Sequence, residues 1–569
     1  FLRNPGHPRM AYWCNRMMSL LSSDLPLNSR VAIANALLFH YVWYAGDRGK
    51  SSVITQILPT DILTRDDVAP FEKTMWSAHH ASYSCWFKGD HLEVYDEIEY
   101  ALNLANEHGI HLADSLALIV GACAAFMSND LEKGQQLIQR SRKALNPARR
   151  VDLGLTHLYQ SWASWLMDRL PEASEHIRLS QEVLEELGSP SILVRTYIAQ
   201  AQIEGTRREY RQAYKTLAKA RHLSRKVDSL NNLYICFLIS ADFALRRNRK
   251  SACIRLLKRA FALGRQQGFI NIPWFSANSL AELSLLAIEN GIETQHLFHL
   301  VKTLQLKPKE PPIHLREWPW PVRISTLDGF AIEIDGVKAK TSGKTQRRPL
   351  DILKYLVSCG GKNIRADQVM DMFWPELDYD KAYGVLHTNL HRLRKLLANE
   401  HALQWEAGRI SLNPYLCWVD AWAFEKQCKD LGRIKNHNTS HENLLPLFEK
   451  ALSLYVSPLL AGEEEQHWML GYRQRLQNRY VRVLLDYGDI LEAQNRLDDA
   501  LDLYWSGIEI DNTMETFYQK VMMIYRAQGR EFEAEAVYRQ CASNLNRELG
   551  VKPSREMEKL YKQMLNSEV

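Results

Sequence analysis

Residues 380–400 read "DKAYGVLHTNLHRLRKLLANE". The spacing of apolar residues is helical. At 100° per residue, Ala382, Leu386, Leu390, Leu393 and Leu397 fall within about 80° of one another, which makes them the buried stripe. Opposite them lie Lys381, Gly384, Thr388, His391 and Lys395, with His387 and Arg394 on one flank and Arg392 on the other. No carboxylate falls between Lys381 and Ala398. A helix that only meets water mixes both signs to gain i,i+4 pairs. A face of cations, short polar side chains and one glycine suits a DNA major groove, where cations meet phosphates and short side chains reach base edges. Gly384 would let the backbone come close.

The flanking sequence supplies a fold for this helix. "VRISTLDGFAIEIDGVKAK" alternates apolar and polar residues around Asp328-Gly329 and Asp335-Gly336, so it reads as short antiparallel strands. Helices follow at "PLDILKYLVSC" and "ADQVMDMFWPELD", then the opening stretch. "LQWEAGRISLNP" alternates again and reads as a final hairpin, with Arg409 in its second strand. Strands, three helices and a hairpin make a winged helix. "KAKTSGKTQRR" (338–348) carries Lys344, Arg347 and Arg348 with no acid, and is expected to grip phosphates ahead of the first helix.

Upstream, residues 10–305 show almost no strand signal. "DHLEVYDEI", "DLEKGQQLI", "RLPEASEHI", "EYRQAYKTL" and "NRKSACIRL" place Val94, Gly134, Ala173, Ala213 and Ala252 at spacings of 40, 39, 40 and 39. Such a period predicts a solenoid of helix pairs, each burying its apolar face on its neighbours. The fold class expected is therefore mainly α: an N-terminal α-solenoid, a small α+β winged helix, and a C-terminal tetratricopeptide-like helical domain. "KPKEPPIHLREWPWP" breaks the helical pattern and reads as a boundary.

The chain has 569 residues, too many for one core, and its net charge of +5 says little until the cations are placed. Nine scattered cysteines form no CxxC pair, so buried free thiols in a reducing compartment are expected. No apolar run reaches a membrane span and no signal peptide is read, so a cytoplasmic protein is expected. The chain opens "FLRNPGHPRM" without an initiator Met and is expected to be the C-terminal part of a longer protein. "GDRGKSS" (46–52) ends like a phosphate-binding P-loop, but Tyr44 stands where the loop needs its first glycine, so an inter-helix turn is expected. His79-His80 and "HLFH" (296–299) show no carboxylate or cysteine at ligand spacing. Trp13, Trp43, Trp76, Trp86, Trp162, Trp165 and Trp274 are expected in the core. Catalytic, cofactor and metal sites are all expected to be absent, and the chain is not expected to be an enzyme.

The stretch "TQRRPLDILKYLVSCGGKNIRADQVMDMFWPE" with "LHTNLHRLRKLL" resembles the OmpR-type winged helix of SARP-like bacterial regulators, and the upstream period resembles MalT-like tetratricopeptide-type repeats. "VDAWAFEK" (419–426), "ALSLYVSPLLAG" (451–462), the segment 496–541 and "ELGVKPSREMEKLYKQML" (548–565) resemble the bacterial transcriptional activator domain. Two departures stand out: Arg365 replaces the usual Ser or Thr helix cap, and Arg409 replaces a wing Tyr. The resemblance implies a helical-repeat sensor at 1–310, a linker at 311–321, the winged helix at 322–426 and the activator domain at 437–567. It implies double-stranded promoter DNA and RNA polymerase as partners, a homodimer on DNA, and an unidentified ligand or protein at the repeats. The DNA contacts expected are Lys344, Arg347, Arg348, Lys381, Gly384, His387, Thr388, His391, Arg392, Arg394, Lys395 and Arg409. The alternatives are a helical-repeat scaffold whose winged helix binds protein, and the C-terminal part of a STAND-type NTPase-controlled regulator.

Overall fold

The computed structural model describes residues 9–146, 148–188, 190–340, 346–435 and 441–565. The chain divides into two units, Phe1–Glu310 and Pro311–Val569. In the first unit α1 (Arg9–Leu20) precedes helix pairs. These are α2 (Leu27–His40) with α3 (Arg48–Ile57), α4 (Pro70–Tyr83) with α5 (His91–His108), and α6 (Asp114–Met127) with α7 (Leu131–Lys143). They continue as α8 (Arg150–Leu166) with α9 (Leu170–Glu186), α10 (Pro190–Thr206) with α11 (Tyr210–Lys226), α12 (Leu230–Arg246) with α13 (Lys250–Gln267), and α14 (Ala277–Glu289) with α15 (Thr294–Thr303).

One local device repeats in six of these pairs. The residue before the second helix's cap is left-handed: Gly46, Gly89, Asn129, Asp168, Arg208 and Asn248. Glycine, asparagine and aspartate tolerate that conformation best. Where the cap is aspartate it holds the helix start: Asp47 accepts from Lys50 N, Asp90 from Leu92 N and Glu93 N, and Asp130 from Lys133 N. Four residues past the cap comes a buried residue at the helix crossing: Ser51, Val94, Gly134, Ala173, Ala213 and Cys253. The fifth sequence landmark is thereby corrected. Cys253 is the equivalent position, and the neighbouring Ala252 is only half-buried. At Gly134 an added Cβ would lie 2.3 Å from Phe126 Cε1, so this crossing needs the glycine.

The segment 268–275 has no helical periodicity, yet residues 269–275 are all buried. Ile270 N and Asn271 N donate to Trp86 O at 3.3 and 3.4 Å, and Gln202 Nε2 donates to Trp274 O at 2.6 Å. Trp274 packs on Trp162 with ring centroids 5.7 Å apart. Six of the seven tryptophans expected in the core are buried; Trp13 is the exception, at 49% exposed.

The second unit opens with residues expected to form a linker, and the structure corrects that. Trp318 and Trp320 are buried, and Ile313 O accepts from Trp418 Nε1 at 2.8 Å. The prolines stop a helix here, and the tryptophans supply enough apolar surface to pack. Next come β1 (Val322–Ser325), β2 (Ala331–Ile334), β3 (Val337–Lys338), α16 (Arg347–Ser358), β4 (Ile364–Arg365), α17 (Ala366–Phe373) and α18 (Tyr379–Leu396). The hairpin β5 (Leu403–Glu406) and β6 (Arg409–Leu412) follows, then β7 (Cys417–Val419). One sheet has the order β3-β2-β1-β7, with β7 parallel to β1; the other has the order β4-β6-β5. This is a winged helix. Its tip residues Ala407 (φ 48°) and Gly408 (φ 72°) are both left-handed, as a two-residue hairpin turn requires. Arg365 occupies the N-cap of α17 and provides no side-chain cap.

The remaining helices are α19 (Asp420–Lys435), α20 (His441–Leu454), α21 (His467–Ala493), α22 (Leu497–Ile510), α23 (Glu515–Ala527), α24 (Glu531–Leu549) and α25 (Arg555–Leu565). They reuse the device of the first unit. Left-handed Asn495 and Gly529 precede the caps Arg496 and Arg530, and Ala500 and Ala534 sit buried four residues later. Among the described residues, no helix is long and apolar enough to cross a membrane.

Candidate nucleic-acid interface

The stripe on α18 is buried as its periodicity predicts: Ala382, Leu386, Leu390, Leu393 and Leu397 are at most 3% exposed. Asn389, outside that stripe, is also buried and donates to Val385 O at 2.8 Å. Lys381, Gly384, His387, Thr388, His391, Arg392 and Lys395 are all exposed on one helix. Gly384 has nothing within 4 Å of where a Cβ would stand, so no packing in the chain calls for glycine there. Arg392 and Lys395 are held by no hydrogen bond or ion pair among the described residues.

Several neighbours were not visible in the helical pattern. Asp378 Oδ2 lies 3.2 Å from Lys381 Nζ, so that cation is already partnered at the helix start. The Thr388 hydroxyl donates to Gly384 O at 3.0 Å, so its oxygen is left to accept. Arg394 is half-buried, and its Nε donates to Leu403 O at 3.1 Å. It braces the helix against the wing instead of standing on the exposed face. Arg409 stays exposed, and its Nη1 donates to Asn363 O at 3.0 Å. His387 lies 5.8 Å from Trp405, which also packs on Tyr383 at 5.0 Å, so the wing flank of α18 is aromatic.

The expected phosphate-gripping loop is placed differently. Lys344 lies outside the described residues. Arg347 and Arg348 open α16 itself. Arg347 pairs with Glu464 at 3.3 Å, and Lys354 donates to Glu463 at 2.6 Å. The Arg348 guanidinium lies 5.6 Å from the Phe373 ring centroid. The physical reason is the run Glu463–Glu465, more than 100 residues away, which offers these cations carboxylates within the same unit.

His80 does have carboxylate neighbours, contrary to the sequence reading. Glu93 and Glu97, one and two turns into α5, bring ligand-type atoms within 4.8 Å of it and of one another. Helix pairing creates that cluster, which sequence spacing cannot show. Lys88 Nζ already donates to Glu93 at 2.6 Å, and His80 Nδ1 pairs with Glu97. "GDRGKSS" forms the turn into α3: Asp47 caps the helix, and Lys50 lies 4.9 Å from the Tyr41 ring centroid.

Residues 419–565 match the family model described as the bacterial transcriptional activator domain. The C-terminal helices are that domain. The match begins at Val419, earlier than the expected 437, so α19 belongs to it. The chain is also similar, over part of its length, to a bacterial regulatory protein. It is 24% identical over 241 residues to the regulatory protein AfsR of Streptomyces griseus, a match covering 41% of this chain and 23% of that protein's length. The solved structure of Mycobacterium tuberculosis EmbR in complex with a low affinity phosphopeptide is 17% identical. It covers 43% of this chain and 65% of its own, with a TM-score of 0.36. The apo form of RapI is 12% identical and covers 52% of this chain and 97% of its own, with a TM-score of 0.32.

A buried carboxylate helps to join the activator domain to the winged helix. Asp420, at the start of α19, accepts from Thr326 N (2.6 Å), Leu327 N (2.8 Å) and the Thr326 hydroxyl (2.6 Å). From the other side Ser457 N donates to Leu327 O and Leu460 N to Thr326 O, both at 2.7 Å. A sequence signal existed in "VDAWAFEK", whose aspartate follows a strand; its partners 94 residues upstream were not legible.

Proposed function

We propose that this chain is a DNA-binding transcription regulator that docks α18 in the major groove of promoter DNA. The observation that carries the reading is the exposed face of α18. It presents Arg392 and Lys395, which have no partner among the described residues, the exposed Thr388 and His391, and a glycine that no described neighbour requires. Arg392 and Lys395 meet phosphates. His391 donates to a guanine edge, and Thr388 offers its methyl or an oxygen lone pair. The activator domain stabilises the winged helix and contacts RNA polymerase or a second copy on DNA. The N-terminal repeats receive the signal, and activation is the expected outcome.

Selection from randomised duplexes tests base reading. Thr388→Ala and His391→Ala are expected to relax preference at particular positions, each by about 1–3 kcal/mol, with non-specific affinity nearly kept. Wild-type preference at every position in both variants contradicts the reading. Gly384→Ala separates fold from function by sign. It should stabilise the helix by about 1 kcal/mol, because glycine is a poor helix former and the added methyl meets open space. The same methyl should weaken DNA binding roughly tenfold, a change of about 1.4 kcal/mol. Thermal melting and a DNA titration of the same variant read both effects.

A further inference from the structure

Two pairs of side chains meet where α4 packs on α5. His80 Nδ1 pairs with Glu97 Oε1, and Lys88 Nζ donates to Glu93 Oε1 at 2.6 Å. Glu93 and Glu97 stand one turn apart on α5, so their carboxylates share the face that His80 meets. One ligand-type atom from each of His80, Glu93 and Glu97 lies within 4.8 Å of the other two. All three residues are half-buried, so the cluster is open to water on one side. Its scaffold is fixed. The His80 ring stacks on Trp76 at 5.9 Å, with 25° between the planes. One turn before His80, Ser77 Oγ donates to Glu97 O at 2.6 Å and ties α4 to α5 at this level.

The charges are less well matched than the positions. Burial pushes the Glu97 carboxyl above its usual range, and His80 offsets only part of that. Glu97 Oε2 is buried and has no hydrogen-bond partner among the described residues, so this carboxylate lacks compensating charge. The Lys88 side chain is 38% exposed, and its stem can turn the ammonium to water, which makes it a replaceable partner for Glu93. Metal–ligand bonds of about 2.0–2.2 Å set ligand atoms roughly 3–4 Å apart, so side-chain movement of about 1 Å closes this set on an ion.

We propose that His80, Glu93 and Glu97 bind a divalent first-row transition-metal ion, which displaces Lys88 from Glu93. One imidazole nitrogen with two carboxylates suits Zn²⁺ or Co²⁺, whereas Mg²⁺ and Ca²⁺ take oxygen ligands. Water completes the coordination. The site lies wholly in the first unit and stands independently of the DNA-binding reading.

The test titrates the tag-free, metal-stripped full chain with Co²⁺ and then Zn²⁺. Co²⁺ should bind one per chain and give visible d–d bands. It should not give the near-ultraviolet sulfur-to-cobalt band that binding to any of the nine cysteines would produce. Zn²⁺ should displace it, and excess Mg²⁺ should not. His80→Ala should weaken Zn²⁺ binding about 100-fold, and Glu93→Gln at least tenfold. Lys88→Met should tighten it about threefold, because the competing ion pair is gone. Glu93 and Lys88 are partly exposed, so their variants carry the test even if His80→Ala fails to fold. No stoichiometric binding, a sulfur band, or an unchanged affinity in Glu93→Gln overturns the site. Weaker binding by Lys88→Met than by wild type overturns the displacement.

Discussion

Replacing Arg392 and Lys395 together by alanine is expected to lower affinity for every duplex by roughly 100-fold. Each cation is exposed and free of partners within the described chain, so each can give a full charge-assisted hydrogen bond to a phosphate. Two such bonds are worth about 3 kcal/mol together. The plot of log affinity against log salt should flatten by about 0.9 for each phosphate that is no longer neutralised. Sequence preference should survive, since phosphate binding positions the protein and does not read bases. Arg347→Ala is the contrast. Arg347 shares its charge with Glu464 in the activator domain, so removing it should flatten the salt slope less. Fluorescence anisotropy on a fixed duplex across a salt series reads all three quantities. A steep slope kept by the double variant would remove this face of α18 from the interface.

Asp420→Ala is expected to destabilise the second unit by about 3–5 kcal/mol, near the upper end for a single substitution. The change leaves three backbone N–H groups, of Thr326, Leu327 and Ala421, and one hydroxyl, all buried, without their acceptor. It also removes the anchor between the winged helix and the activator domain at the point where Ser457 and Leu460 bind the same two residues. Asp420→Asn should cost less, because one oxygen still accepts. Hydrogen exchange of the full chain checks this: the amides of Thr326 and Leu327 should become unprotected first and most. Unchanged protection there would show that the junction is held by packing alone.

Much of this architecture was legible because it is local. The α18 stripe needs only 3.6-residue periodicity, and all five of its apolar residues are buried as read. The repeat was legible because a left-handed turn, a helix cap and a small residue recur together. It slipped by one residue at Cys253, because the reading followed small size and the adjacent Ala252 is the smaller residue. What could not be read depends on distant partners. Nothing near Arg347 in sequence announces Glu464, its partner in an exposed ion pair. Arg394 and Arg409 look alike on a helical wheel or in a strand pattern, and only the folded wing shows Leu403 O and Asn363 O within reach. His80 gains Glu97 only once α4 and α5 pair. The buried 268–275 strap has no period to detect, and its partners lie up to 186 residues away.

The central claim is that α18 lies in the major groove with Thr388 toward the bases. The most direct test places a cysteine there. Thr388→Cys is incubated with a duplex carrying a disulfide-activated thiol tethered to cytosine N4 in the major groove, at a position found by the selection above. Wild type serves as control for the exposed native Cys359. The account predicts a crosslink that forms with Thr388→Cys, depends on the position of the tethered base and is absent from wild type. A crosslink yield no higher than that of wild type at every tethered position would contradict it.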